Sequence, residues 1–430
     1  MINLYRRTLL GLGSGLCMMQ ALPAWAGLRI AITGVGSNQI PIAIKPFALV
    51  GADTVPENLA DIIGNDLLRT GGFRLIEAGE ATPVAELEEP SDLKALNAKG
   101  ANAVLVGVVS KIAPNRWDVR YFLHDPVSNA LITSGHVEDS TENLRMAAHL
   151  IADDVYHKLT GEGPLFHSQL MYVTQLGPKH YQLVVTDSDG LNPRVVLSSP
   201  NPIISPVWSP NGRYVAYVSF EKAKPIVYLQ ELATGKRREI SYFEGNNSAP
   251  AFSPDGQWLC VALSRGGRTQ LWMLSVAGNE LRRFSSSYGI DTEPTFSPNG
   301  QYVYFTSDRG GAPQIYRQPV AGGAAERITF GSNYAVSPAV SPDGKLLAFV
   351  TRQDGKYHTA IMDLQTGQVT TVTSTDHDES PSFAPNSRFV VFATREGNRG
   401  VLATASVDGR VVTRIEGDGD IREPQWGPIF

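Results

Sequence analysis

The chain has 430 residues, with 37 Lys and Arg against 42 Asp and Glu, a net charge of −5. That balance excludes a dedicated nucleic-acid binder, which carries a strong basic excess, and 42% hydrophobic residues exclude a disordered chain. Two cysteines exclude a disulfide scaffold, while 41 Gly and 28 Pro point to short strands joined by tight turns.

Residues 1–26 read as a secretory signal. Arg6 and Arg7 supply the positive region, residues 8–22 are largely apolar and uncharged, and Ala24-Trp25-Ala26 is a small-x-small cleavage site. The apolar run is shorter than the ~20 residues a spanning helix needs. The mature chain is therefore expected to be soluble and exported. The Arg6-Arg7 pair also fits a twin-arginine route. Cleavage removes Cys17 and leaves Cys260, read as a small hydrophobe buried on a strand.

Residues 27–161 read as an α/β domain. Residues 28–33 are strand-like, and Gly34 and Gly36 follow without the third glycine or the helix that a dinucleotide turn requires. Thr54-Val55-Pro56-Glu57 has capping-box spacing. Leu59, Ile62, Ile63 and Leu67 then share one helical face, and Gly71-Gly72 stops the helix. Residues 73–76 are strand-like, and Ser91 begins a shorter helix ending near Gly100. Six acidic residues and no basic ones lie between Arg74 and Lys94, a solvated loop. Residues 103–109 form a buried apolar strand. Trp117, Val119, Tyr121 and Leu123 alternate before the Asp125-Pro126 turn, and residues 131–137 return as a hairpin. Ser140 or Thr141 begins a long helix with Leu144, Ala147, Ala148, Ile151, Val155 and Leu159 on one face, ended by Gly161. His149 and His157 on that helix read as surface or capping residues. Gly163-Pro164 is a short linker.

From residue 165 to 430 a repeat takes over. Pro206-Val207-Trp208-Ser209-Pro210-Asn211-Gly212 recurs from Pro250, Pro294, Pro338 and, more weakly, Pro381; Pro424 opens a truncated sixth copy. The prolines are spaced 44, 44, 44, 43 and 43 residues apart. In each copy a short strand meets a Ser-Pro-Asn/Asp-Gly turn, with Pro presetting φ and Gly taking the left-handed position. Strands follow at residues 214–219, 258–263, 302–306, 346–351 and 389–394, each with a charged Gly loop and a further strand pair behind it. Four strands in ~44 residues is a propeller blade. Residues 170–197 supply three strands with no motif strand before them, and the last motif has no strands after it. Residues 423–426 should therefore complete the first blade and close a six-bladed ring, removing a free sheet edge.

The sequence offers no catalytic signature: no G-x-S-x-G, H-E-x-x-H, C-x-x-C or P-loop. The segments just before each motif proline read instead as loops around one mouth of the central channel, where binding residues gather. Asp291, Glu293, Asp378, Glu379 and Glu423 make that mouth acidic, so Ca²⁺ on oxygen ligands, or a small molecule, is an alternative expectation for the channel.

An exported α/β domain followed by a six-bladed propeller with P-x-[WF]-S-P-[DN]-G repeats, closed by a terminal strand, resembles the TolB family. That family is the periplasmic component of the Tol–Pal cell-envelope system of Gram-negative bacteria. The resemblance spans residues 27–430. Prolyl-peptidase propellers share the repeat, but the nucleophile elbow of their catalytic domain is absent here. The resemblance implies a periplasmic binding protein with no enzyme activity and no cofactor. It implies that the peptidoglycan-associated lipoprotein Pal docks on the mouth face, at Asn246, Asn247, Ala249, Thr292, Glu293, Tyr334 and Glu379. It further implies that the mature N-terminus, Gly27, Leu28, Arg29, Ile30, Ala31 and Ile32, binds the inner-membrane-anchored TolA. The implied role is outer-membrane integrity and envelope constriction at cell division, exploited by colicins and phage.

Overall fold

The computed structural model describes residues 39–429. The signal peptide, the Gly27–Ile32 segment, the strand-like residues 28–33 and Gly34 and Gly36 lie outside the described residues.

The first domain is one mixed sheet with helices on it. Its elements are β1 (Ile40–Ile44), β2 (Ala48–Val50), α1 (Leu59–Arg69), β3 (Phe73–Ile76), α2 (Leu93–Ala98), β4 (Ala103–Ala113), β5 (Arg116–Asp125), β6 (Ala130–Ser140) and α3 (Leu144–Thr160). The sheet order is β3-β1-β4-β5-β6, with β2 also on β4. β1 lies parallel to β3 and β4, and such pairs need crossovers, which α1 and α2 supply. β4, β5 and β6 form an antiparallel meander. β4 is continuously apolar because both its faces are covered. Leu105 and Val109 pack with Ile63, Leu67 and Ile151 of α1 and α3 on one side. Val104 and Val106 pack with Leu87, Leu93 and Leu96 on the other.

Helix starts differ from expectation. The cap of α1 is Asn58, whose side chain accepts from the Asp61 amide at 3.4 Å; Asn outranks Thr as a cap and sits nearest the apolar face. α2 follows Asp92, and Ser91 instead donates to Glu86 at 2.8 Å. α3 begins after a 3₁₀ turn at Thr141–Asn143 and ends where Gly161 takes φ +77°. His157 is exposed near that end, and its Nδ1 lies 2.8 Å from Glu162 O, past the helix. His149 is no surface residue: it is fully buried and meets Asp66 at 2.5 Å. Helical spacing alone did not reveal that a second domain covers that face.

The rest of the described residues form six four-stranded sheets. The first blade combines β7 (Ser168–Gly177), β8 (His180–Asp187) and β9 (Arg194–Ser199) with an inner strand from the far end of the chain, Asp420–Ile429. That strand pairs antiparallel with β7, and the Trp426 indole donates to Ser168 Oγ at 2.8 Å. The other five blades are built from strands consecutive in the chain. Their inner strands are Ile203–Trp208, Asn247–Phe252, Asp291–Phe296, Ala335–Val340 and Glu379–Phe383.

The Ser-Pro-Asn/Asp-Gly turns behave as their chemistry dictates. Ser209, Ser253, Ser297 and Ser341 hydroxyls donate to the Asn or Asp two residues on, at 2.5 to 2.7 Å. Each hydroxyl also accepts, at 2.9 Å, from the amide that opens the next strand. Gly212, Gly256, Gly300 and Gly344 sit at φ +66 to +72°, where a Cβ is strained. In the weakest copy Ala384 lacks the hydroxyl and Ser387 itself takes φ +62°.

The α/β domain packs on the turn-bearing end of the ring. Arg388, just past the last full turn, pairs with Glu162 at 2.7 Å, and Gly71 lies against Val411. Leu165, Phe166, Tyr172 and Phe389 join the same apolar cluster as Phe73, Ile151 and Tyr156, so one core runs from domain to propeller. The start of every inner strand lies at the opposite end of the ring.

Candidate functional site

At that opposite end the channel opens into a cavity of about 680 Å³, lined by residues on both sides of the six motif prolines and by Tyr334, Tyr357, His377 and Arg395. The segments expected as loops are the inner strands themselves. The residue before each proline bulges the strand: Ser205, Ala249, Glu293, Ser337, Ser380 and Glu423 take φ +46 to +54°, and the pairing register shifts there in each blade. A left-handed non-glycine residue costs roughly 1–2 kcal/mol. Six in one ring is strained backbone of the kind concentrated at binding sites.

The glutamates among them tie neighbouring blades. Glu293 accepts from the Ser337 amide at 2.9 Å, the Ser337 hydroxyl at 3.1 Å and the Thr306 hydroxyl at 2.7 Å. Glu423 accepts from the Ser205 amide across the ring closure. Burial, reinforced by Glu379 and Glu293, pushes the Glu423 carboxyl up to about 7, against the Ser205 bond. Burial likewise raises Glu379, against the pull of Arg422 and Arg395.

Three residues before the proline lies a second device. Asn247 is fully buried; it accepts from Ser241 Oγ and the Phe243 amide at 2.8 and 2.9 Å and donates to Phe243 O and Gly245 O. Asp291 does the same work in the next blade, accepting from Ser285, Ser287, Ser307 and Arg309. Asp378 accepts from the Thr359 amide, Thr373 and Thr375. These side chains brace the strand entry from beneath.

Of the seven residues expected on this face, Ala249, Glu293, Tyr334 and Glu379 line the cavity. Tyr334 stands edge-on to Tyr357 at 5.6 Å. Asn246 holds the rim, its amide bonded to Ser264 and its side chain to Ser248, both at 2.7 Å. Thr292 is half-buried beside Glu293, and Asn247 lies beneath the surface as a brace.

The acidic mouth is narrower than expected, because Asp291 and Asp378 are buried and committed. Among the described residues, only His149, Asp187 and Asp189, at the other end of the ring, gather three metal-type ligands within 4.8 Å. Sequence reasoning missed Tyr242, Tyr288 and Phe330, which are 57, 95 and 67% exposed on the entries to three successive inner strands. Aromatics inside otherwise polar, Ser- and Gly-rich segments were the available signal.

The architecture defines a class: a six-bladed β-propeller protein preceded by an α/β domain, with a strained channel mouth facing away from that domain. Residues 156–430 match the family model described as the TolB beta propeller domain, and residues 28–132 match the TolB amino-terminal domain. A relative named Tol-Pal system protein TolB from Methylobacillus flagellatus is 57% identical over 95% of this chain and 94% of its own. Another of the same name from Nitrosomonas europaea is 54% identical over 96% and 97%. The crystal structure of TolB from Acinetobacter baumannii superposes with a TM-score of 0.84 at 37% identity, covering 93% of this chain and 99% of that one. The chain belongs to the TolB family, and the two curated relatives bear the name of a Tol-Pal system protein, not of an enzyme. Among the described residues no helix is long and apolar enough to cross a membrane.

Proposed function

We propose that this chain is a periplasmic protein-binding scaffold of the Tol–Pal system, joining the lipoprotein Pal at the propeller mouth to TolA at its mature N-terminus. In that position it supports outer-membrane integrity and envelope constriction during division. The observation that carries the reading is the channel mouth. It combines a large cavity, six strained strand entries and exposed aromatics on one face. Aromatics on a rigid frame are the residues that anchor protein interfaces.

Titration calorimetry of the mature chain with the soluble part of Pal tests it. Tyr334→Ala, at the cavity wall, should weaken binding by roughly tenfold or more, whereas Val127→Ser, exposed on the α/β domain, should leave it unchanged. Deleting residues 27–32 should abolish TolA binding and leave the Pal site intact. Equal Pal affinity in the Tyr334 variant and the unmodified chain would sink the mouth assignment.

A further inference from the structure

Where α1 and α3 meet the first blade, Asp66, Arg69, Arg145, His149, Asp187 and Asp189 form one buried or nearly buried charge cluster. Arg69 reaches from α1 into the blade, donating to Ser188 O at 2.8 Å and Ser188 Oγ at 2.6 Å. Arg145 on α3 donates to Asp187 at 3.2 Å and Asp189 at 2.6 Å. His149 sits one turn further along α3. Its Nδ1 meets Asp66 at 2.5 Å, and its Nε2 points to Asp187 at 3.9 Å without a hydrogen-bond partner among the described residues. Glu57, 3.7 Å from Arg145, stands at the rim.

His149, Asp187 and Asp189 have the spacing of metal ligands, but the Arg145 guanidinium already donates to both aspartates and supplies cationic charge from within the chain. What the cluster lacks is one more positive charge. Three buried aspartates face two arginines; burial raises the Asp187 carboxyl against the pull of His149 and Arg145, and an uncompensated buried charge is costly. A protonated imidazole supplies the third positive charge. It donates one N–H to Asp66 on α1 and turns the other toward Asp187 on the propeller.

We propose that protonated His149 closes an interdomain charge latch, and that loss of its proton loosens the α/β domain from the first blade. Burial opposes the charged ring, but Asp66 beside it, with Asp189 and Asp187, outweighs burial and raises its pKa above the ordinary histidine value. A histidine raised on folding stabilises fully below its unfolded pKa and loses that contribution as pH rises through the folded one. The latch is closed in mild acid and opens toward alkali. It lies at the end of the ring opposite the channel mouth, so it sets how the α/β domain is held without touching the cavity.

Hydrogen exchange of the full mature chain, corrected for the intrinsic pH dependence of exchange, reads the latch directly. As pH rises from about 6 into the alkaline range, peptides covering α1 and α3 should lose protection by roughly tenfold, while the inner strand Asn247–Phe252 holds its protection. In His149→Gln the α1 and α3 peptides should be loose at every pH, with no step. Asp187→Asn removes a carboxylate that favours the charged ring, so its step should move to lower pH; this carries the test if the His149 variant does not fold. The same step in His149→Gln as in the unmodified chain, or an unmoved step in Asp187→Asn, overturns the proposal.

Discussion

Single residues at this mouth do two opposed kinds of work. The positions before the motif prolines hold the backbone in a left-handed turn that their Cβ atoms resist, while the positions two residues earlier anchor it. Asn247 fills all its hydrogen-bonding capacity beneath the rim, so truncation leaves Ser241, Phe243 and Gly245 groups without their partner. Asn247→Ala should cost about 2 kcal/mol, visible as a lower urea midpoint, and should weaken partner binding although Asn247 is buried. Glu423 titrates differently. Its folded pKa of about 7 exceeds the ordinary carboxylate value of 4.5. The neutral form is therefore favoured by folding, and the chain loses stability as pH rises toward and through 7. Glu423→Gln should be about 2 kcal/mol more stable than the unmodified chain at pH 8, allowing for partial exposure, and no more stable near pH 4. Thermal melts at the two pH values check this.

At the scale of elements, the blades are copies whose differences show what each part contributes. Four turns carry the same Ser–Asn/Asp–amide network, and the fifth, with Ala384, keeps its shape without it. The hydroxyl therefore tightens a turn already set by Pro and the left-handed residue. Ser297→Ala should cost only about 1 kcal/mol, measured by denaturant unfolding, with strand pairing unchanged by circular dichroism. The repeat was plain in the sequence because turn chemistry is local. The strand entries read as loops in sequence for the opposite reason. Polar, Pro-containing segments look irregular, and only pairing with the neighbouring strand reveals a bulged inner strand. The cap of α1 is ambiguous in sequence on similar grounds, since Thr54 and Asn58 both offer capping side chains; in the structure Asn58 caps the helix and the adjoining Leu59 is in the core.

At the scale of the whole molecule, the ring is closed by a strand borrowed from the far terminus, and a core shared with the α/β domain runs into its first and last blades. Removing residues 420–430 should expose a sheet edge on β7 and strip Trp426 from its place against Ser168. The truncated chain should lose its single cooperative melt and aggregate, by calorimetry and light scattering. The same closure places the two working ends apart. The mouth faces one side, and the charge cluster that seats the α/β domain faces the other.

The sequence by itself determined the blade count, the closing strand, the α/β domain before them and the segment that would line the mouth. Each follows from local turn chemistry repeated at a fixed period, or from apolar periodicity, which one chain carries without reference to its neighbours. Tertiary structure alone decided that Asp291 and Asp378 are braces, that Glu293 and Glu423 link blade to blade, and that His149 is buried between domains. Those roles depend on which side chains meet across tens to hundreds of residues. Burial and pairing, not residue type, set what an aspartate or a histidine does.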